Sequence, residues 1–174
     1  MTEVIKSLAD ISDRYDALFV DLWGCVHNGI KAFSSANESL KKYRYQGGKV
    51  VLVTNSPRPR SGVEKQLTKF GVDFEAWDLI ATSGDSARMA MFRGVVGSKI
   101  YFIGTPFEEN FFEPLNVVND PVNIERFPID EAEGIVCTGP FSSLEDLDIY
   151  LPDFEFAKKR GLKLLCANPD IIVD

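Results

Sequence analysis

The first third of the chain contains two short polar groups whose residue types can do phosphate chemistry. Asp21 ends an apolar run, and its carboxylate can attack phosphorus as a covalent nucleophile. Thr54, Asn55 and Ser56 follow a second apolar run and offer hydroxyl, amide and turn N–H groups to phosphoryl oxygens. The spacing also allows a purely structural role, in which Asp21 caps a turn and the other three residues cap a helix.

Both polar groups lie at the ends of predicted strands. Continuous apolar sequence predicts strands that are buried on both faces, as in a parallel sheet. A helix-forming segment follows each strand, and this alternation predicts an open α/β sheet. Ligands of such sheets bind at the carboxyl ends of the strands, which would bring Asp21 and Thr54 to one edge. The predicted elements are strands over residues 17–21 and 49–54 and helices over residues 35–45 and 61–70.

A second series of strands and helices is predicted from residue 79 onward. Residues 105–132 are the least regular part, because prolines interrupt any long element there. No change of composition marks a linker, so the order of the elements alone predicts two parts, residues 1–78 and residues 79–174. The predicted elements of the second part are strands over residues 79–82, 99–103, 133–137 and 162–167 and helices over residues 83–92 and from Pro152.

Composition and charge narrow the classes of function. The chain has 174 residues, 45% of them hydrophobic, and a formal net charge of -7. That charge argues against a nucleic-acid partner but allows a phosphate ester, because a bound divalent metal can supply positive charge. No apolar run approaches the roughly 20 residues of a membrane helix, so we predict a cytoplasmic protein without a membrane partner. Cys25, Cys137 and Cys166 lack metal-ligand spacing and are predicted to be reduced, buried thiols.

Several segments together resemble the haloacid dehalogenase superfamily. Residues 19–29 resemble its first motif, Asp-x-Asp-Gly-Val followed by a short flap that ends in Gly, and residues 50–56 resemble its second, an apolar strand closing on Thr-Asn. Residues 81–84, 103–105 and 167–170 resemble landmarks of the NagD-like class IIA branch. In that branch the cap domain is inserted after the second motif. The resemblance implies half of a Rossmannoid parallel-sheet core followed by an incomplete α/β cap of the C2 type.

The resemblance also implies a reaction. It implies Mg²⁺-dependent hydrolysis of a small phosphorylated metabolite, a sugar phosphate or a nucleotide, through an aspartyl-phosphate on Asp21. Mg²⁺ would bridge Asp21 and the phosphate, and the backbone carbonyl of Trp23 would be a second metal ligand. Metal and hydrogen bonds would together neutralise charge on the transferring group. By similarity, the phosphate-binding residues would be Trp23, Gly24, Thr54, Asn55 and Ser56.

Trp23 departs from the family pattern. The phosphatase motif has a second Asp there, which protonates the leaving alcohol and later activates water. An indole has no proton that titrates near neutral pH, and a lost acid-base group typically costs about 10²–10⁴-fold in rate. His27, the only histidine, lies in the expected flap and could protonate a leaving group instead. The alternative is that His27 touches substrate or solvent without transferring a proton.

The family's third and fourth motifs, a lysine and an acidic cluster, lie beyond the cap, and the sequence offers no candidate for either. We therefore expect a fragment, a product of premature termination, or a chain completed by a partner such as a second copy, with impaired activity. The strand over residues 17–21 would then present an unpaired apolar edge. A non-catalytic phosphate-binding module is the alternative function. A dinucleotide-binding protein is disfavoured, because no Gly-x-Gly-x-x-Gly follows the first strand.

Overall fold

The computed structural model describes residues 4–105, 109–142 and 145–168. The described residues divide into two compact units. The first unit runs to Thr54 and resumes at Arg60–Ala81. The second unit comprises Asn55–Pro59 and the described residues from Thr82 onward. Among the described residues, no helix is long and apolar enough to cross a membrane.

The first unit is a three-stranded sheet with two helices. The strand order is β1-β2-β3, and β1 runs parallel to β2. β1 is therefore an edge strand, hydrogen-bonded only to β2 within the described residues. The elements are β1 (Ala17–Asp21), α1 (Ser34–Tyr45), β2 (Lys49–Thr54), α2 (Arg60–Phe70) and β3 (Leu79–Thr82).

β3 joins the first sheet, although the sequence predicted it to begin the second part of the chain. Asp78, the residue before β3, is hydrogen-bonded to Val50 of β2 through both its backbone and its side chain. Its N–H donates to the carbonyl of Val50, and its carboxylate accepts the N–H of Val50, each at 2.8 Å. The division between the units therefore falls at the last residue of β3, between Ala81 and Thr82, rather than before β3.

The described residues cover only one face of the first sheet. Val50 and Leu52 of β2 are fully buried against α1 and α2, in a core with Leu40, Val63 and Leu67. On the other face Phe19 is 79% exposed and Leu79 is 55% exposed. The predicted burial of β1 and β2 on both faces is wrong, because nothing in the described part of the first unit packs against that second face.

The second unit is a four-stranded sheet with the order β5-β4-β6-β7, and every neighbouring pair is parallel. Parallel strands alternating with helices confirm the predicted α/β class. The two-residue strand β5 lies in the segment whose prolines prevented an element from being predicted. The elements are α3 (Ser83–Phe92), β4 (Lys99–Ile103), β5 (Glu125–Arg126), β6 (Gly134–Cys137), α4 (Leu151–Arg160) and β7 (Lys163–Cys166).

The sheet of the second unit is covered on both faces. Val136 packs in a cluster with Met91 and Ile100, whereas its neighbour Ile135 packs in a separate cluster with Tyr150. Successive residues of a strand point to opposite faces, so these two clusters lie on opposite sides of β6. The continuous apolar runs of β4 and β6 reflect this burial on both sides.

Candidate functional site

Asp21 and Thr54 lie side by side at one edge of the first sheet. The parallel register pairs Asp21 with Val53, and Thr54 is the next residue along β2. Each is the last residue of its strand. Asp21 is exposed and Thr54 is half-buried. The adjacency expected from the strand order is therefore present in the structure.

The two side chains leave their strands on different faces of the sheet. Side chains alternate along a strand, so residues two apart point to the same face of the sheet. Asp21 therefore lies on the same face as exposed Phe19, and Thr54 lies on the same face as buried Leu52. A phosphoryl group that contacts both residues would lie beyond the strand ends rather than on either face. The N–H of Leu22 donates to Oδ1 of Asp21 at 2.8 Å and restrains the carboxylate at the end of β1.

The residues after Asp21 form a compact turn. The carbonyl of Leu22 accepts the N–H groups of Val26 at 2.9 Å and His27 at 3.1 Å. Gly24 has a φ of 75°, in the left-handed region that favours glycine, and its N–H donates to the carbonyl of His27 at 2.8 Å. Leu22 and Val26 are buried in the core of the first unit. The turn is thereby anchored next to the candidate nucleophile.

The indole ring of Trp23 lies against Gly29 across this turn. A Cβ on Gly29 would be 2.2 Å from Cζ3 of the indole, so only glycine leaves room for the ring. Trp23 remains 58% exposed and meets the His27 ring edge-on, with 6.1 Å between ring centroids. The residue two positions after Asp21 therefore presents an apolar ring, and the N–H of an indole is a hydrogen-bond donor without acid strength.

His27 is buried, with 6% of its surface exposed, and packs against Phe70 at 4.9 Å between ring centroids. Its Nδ1 accepts the N–H of Gly29 at 3.0 Å. Burial lowers the pKa of His27, and the negative charge of Asp21 opposes that shift. A proton on Nδ1 would face the Gly29 donor, so the geometry favours a neutral ring protonated on Nε2. These contacts favour a role in holding the turn, and acid catalysis by His27 stays a prediction.

Asn55 and Ser56 follow Thr54 in the chain but belong to the second unit. The carbonyl of Ser56 accepts the N–H of Gly84 at 3.0 Å, and a Cβ on Gly84 would lie 2.1 Å from the carbonyl oxygen of Pro57. Gly84 thus allows the segment after β2 to pack against the first turn of α3. The sequence signalled Gly84 only as part of the 81–84 landmark, without this packing reason.

The oxygen donors near Asp21 suit a hard cation. Mg²⁺ prefers oxygen ligands, keeps several waters and is commonly held by one or two carboxylates together with substrate phosphate. The exposed Asp21 carboxylate and the backbone carbonyl of Trp23 are groups of that kind. Within the described ranges no three or more His, Cys, Asp or Glu residues cluster as a metal site. Pro169 and Asp170, part of the 167–170 landmark, lie outside the described residues.

Comparisons with known proteins identify the family of the chain. A family described as haloacid dehalogenase-like hydrolase matches residues 18–117, more than half of the chain. A haloacid dehalogenase-like hydrolase from Brucella suis 1330 is 38% identical, with a TM-score of 0.86, and the match covers 99% of this chain and 63% of that one. No curated protein matches the sequence.

More distant solved structures share the fold. A glycerol phosphate phosphatase from Mycobacterium tuberculosis, solved with calcium, is 22% identical with a TM-score of 0.62 over 92% of this chain and 44% of that one. NagD from E. coli K-12 is 18% identical with a TM-score of 0.56 over 90% of this chain and 58% of that one. The chain thus spans less than two thirds of the length of these proteins. It belongs to the haloacid dehalogenase-like hydrolases, and it shares the fold of their NagD-like branch.

Proposed function

We propose that this chain supplies the nucleophile and the phosphate-binding turn of a phosphatase that hydrolyses a small phosphate monoester, such as a sugar phosphate or a nucleotide. One observation carries the proposal. Asp21 and Thr54 end neighbouring parallel strands, one residue apart across the ladder, with the Asp21 carboxylate exposed. A carboxylate and a hydroxyl at the carboxyl ends of adjacent strands are suited to attack and hold one phosphoryl group.

The chemistry assigned to these residues is a covalent displacement. Oδ2 of Asp21 attacks phosphorus, the bond to the leaving oxygen breaks, and an aspartyl-phosphate forms that water then hydrolyses. Thr54 donates its hydroxyl to a phosphoryl oxygen, and the N–H groups of the following turn add further donors. Mg²⁺ bound at Asp21 and the Trp23 carbonyl would neutralise charge on the phosphoryl group.

We also infer the setting in which the protein acts. A net charge of -7 is poorly matched to a polyanionic macromolecule, so a small phosphorylated metabolite in the cytoplasm is the proposed substrate. One of the longer proteins that share the fold, the glycerol phosphate phosphatase, is named for a small phosphate ester, and this supports the proposal. A second copy of the chain is the proposed partner, through the open edge of β1.

A phosphate-binding module without catalysis is the second candidate. Trp23 places an apolar ring where the family pattern has an acid, and the described residues contain no further acidic cluster around Asp21. Both features would slow hydrolysis more than they would weaken phosphate binding. The two candidates share the same site and differ in whether Asp21 forms a covalent bond.

The experiment compares the wild-type chain with Asp21→Asn, using p-nitrophenyl phosphate and Mg²⁺. Asp16→Asn, which makes the same change at the residue just before β1, is the matched control. We expect Asp21→Asn alone to lower the rate by about 10³-fold or more, as loss of a covalent nucleophile does. Removal of Mg²⁺ with a chelator should also abolish turnover, and its return should restore it.

Equal rates for the wild type and Asp21→Asn would remove Asp21 as the nucleophile. If neither protein turns over substrate, the binding module is tested by titration with inorganic phosphate. The titration is monitored through the NMR chemical shifts of the Thr54 and Asn55 amides. Phosphate binding that survives in Asp16→Asn and changes in Asp21→Asn would favour the module. Absence of both turnover and binding would reject both candidates for this chain.

A further inference from the structure

Two of the three cysteines are direct neighbours in the second sheet. Cys137 ends β6, Cys166 ends β7, and the parallel register makes them partners. Partner residues of adjacent strands point to the same face and lie about 4.8 Å apart along the hydrogen-bonding direction. That spacing falls within the Cα separation of about 4.4–6.8 Å found across disulfide bonds. The N–H of Ala167 donates to the carbonyl of Cys137 at 2.7 Å and holds the two strand ends together.

The two thiols also point the same way along the strands. The thiol of Cys166 donates to the carbonyl of Asn168 at 3.0 Å, and that of Cys137 donates to the carbonyl of Gly139 at 3.9 Å. Each acceptor lies two residues further along the chain, so both sulfur atoms extend toward the carboxyl edge of the sheet. Because each cysteine is the last residue of its strand, its side chain can approach the other without breaking the ladder.

The environments of the two thiols differ. Cys166 is exposed, whereas Cys137 is half-buried beside the cluster that contains Tyr150 and Ile135. Free cysteines are among the most buried residues when they act only as packing groups. The prediction that every cysteine is buried is wrong for Cys25 and Cys166, which are both exposed. Cys166 differs from Cys25 in lying in register with a second cysteine, a placement that packing does not explain.

We propose that Cys137 and Cys166 form a reversible disulfide, with a small-molecule disulfide such as oxidised glutathione as the oxidant. The thiolate of exposed Cys166 attacks one glutathione sulfur, and one reduced glutathione leaves. Cys137 then loses its proton and attacks the Cys166 sulfur, and the second reduced glutathione leaves. Two protein thiols are oxidised to one disulfide, and the two electrons reduce one glutathione disulfide to two thiols.

The disulfide bond would link the edge strand β7 covalently to β6. β7 is hydrogen-bonded only to β6 within the described sheet, so its attachment depends on one ladder. A covalent link between the strand ends would restrict the unfolded chain and should raise the Tm of the oxidised protein by several degrees. This site lies in the second unit and does not depend on the phosphatase proposal, because Asp21 and Thr54 are in the first unit.

The test equilibrates the whole chain with mixtures of oxidised and reduced glutathione, alkylates the remaining thiols and analyses non-reducing digests by mass spectrometry. Cys137→Ser and Cys166→Ser remove one partner each, and Cys25→Ser removes the third cysteine as the matched control. We expect one intramolecular link between the peptides of Cys137 and Cys166 in the wild type and in Cys25→Ser. The two single-partner variants should lack the link and keep only glutathione adducts.

Three results would overturn the proposal. One is that both thiols stay fully alkylated at glutathione ratios that oxidise a reference protein dithiol. Another is that oxidation yields only glutathione adducts or links between two chains. The last is that the link disappears in Cys25→Ser, which would show that the third cysteine is the true partner.

Discussion

In the proposed phosphatase, Trp23 would determine which leaving groups the candidate site can release. The indole is held over Gly29, and His27 accepts the Gly29 N–H at Nδ1, so neither side chain is placed as a strong proton donor. A leaving alkoxide needs a proton as the bond to phosphorus breaks, whereas a nitrophenolate leaves without one. A site built on Asp21 and Trp23 should therefore favour esters with stable leaving groups.

Replacing the indole with a carboxyl group tests this preference. We expect Trp23→Asp to raise the rate on an alkyl phosphate by about 10-fold or more relative to the rate on p-nitrophenyl phosphate, because an acid contributes up to about 10²–10⁴-fold. The measurement is the ratio of the two kcat/KM values in a form of the protein that hydrolyses the aryl ester. Trp23→Asn, which removes the ring without adding an acid, is the control. A ratio that changes equally in both variants would contradict the argument.

At the candidate site, the positions of the strand ends could be predicted from the sequence, whereas the contacts within the turn after β1 could not. Asp21 and Thr54 were placed together because apolar runs and the order of elements determine which strand ends are adjacent. The stacking of Trp23 on Gly29 depends on the path of the turn after β1, which short-range sequence patterns do not specify. The burial of His27 against Phe70 joins segments 43 residues apart, so no local signal could reveal it.

Among the elements of the first unit, Asp78 connects a helix and a strand to the start of β3. Its carboxylate accepts two hydrogen bonds from Arg44 of α1, both at 2.9 Å, and one from the N–H of Val50 in β2. The Arg44 guanidinium and the Val50 N–H hold the pKa of Asp78 at about 2, below its ordinary value near 3.8. The ionised carboxylate is thus the form that the folded unit stabilises.

The sign of the pH dependence follows from that lowered pKa. The contribution of Asp78 is present above the unfolded pKa and is lost as pH falls from about 4 to about 2. We expect Asp78→Asn to lower the free energy of unfolding near neutral pH by roughly 1–2 kcal/mol, with the difference from wild type shrinking in acid. Urea unfolding at several pH values measures this. Asp16→Asn should leave stability within about 0.5 kcal/mol, and an Asp78→Asn effect independent of pH would contradict the assignment.

Most helices and strands could be predicted because they carry clear apolar runs between glycine or proline breaks. β5 could not, because its two residues carry no pattern and form a strand only by pairing with β4. The burial of β1 was wrongly predicted for a related reason. An apolar run shows that a surface suits burial, but it cannot show whether a covering element is present.

At the scale of the whole molecule, the uncovered face of the first sheet and the open edge of β1 favour self-association. Phe19 lies on that face and is paired with Val51 of the adjacent strand β2. Val53, two residues further along β2, is 39% exposed. Contiguous apolar surface beside an unpaired strand edge is a common route to pairing between copies. The edge that the sequence predicted is present, since β1 has a hydrogen-bonded neighbour on one side only within the described residues.

A charge placed on this face should weaken association. We expect light scattering of the wild-type chain to give an apparent mass that rises with concentration. Phe19→Lys should weaken association by about tenfold or more, because burying a Phe side chain contributes about 1.5–3 kcal/mol. Phe74→Lys is the matched control, since Phe74 is 76% exposed against 79% for Phe19 but lies outside the sheet. A wild type that stays monomeric at all concentrations, or equal effects of both substitutions, would show that the face does not mediate association.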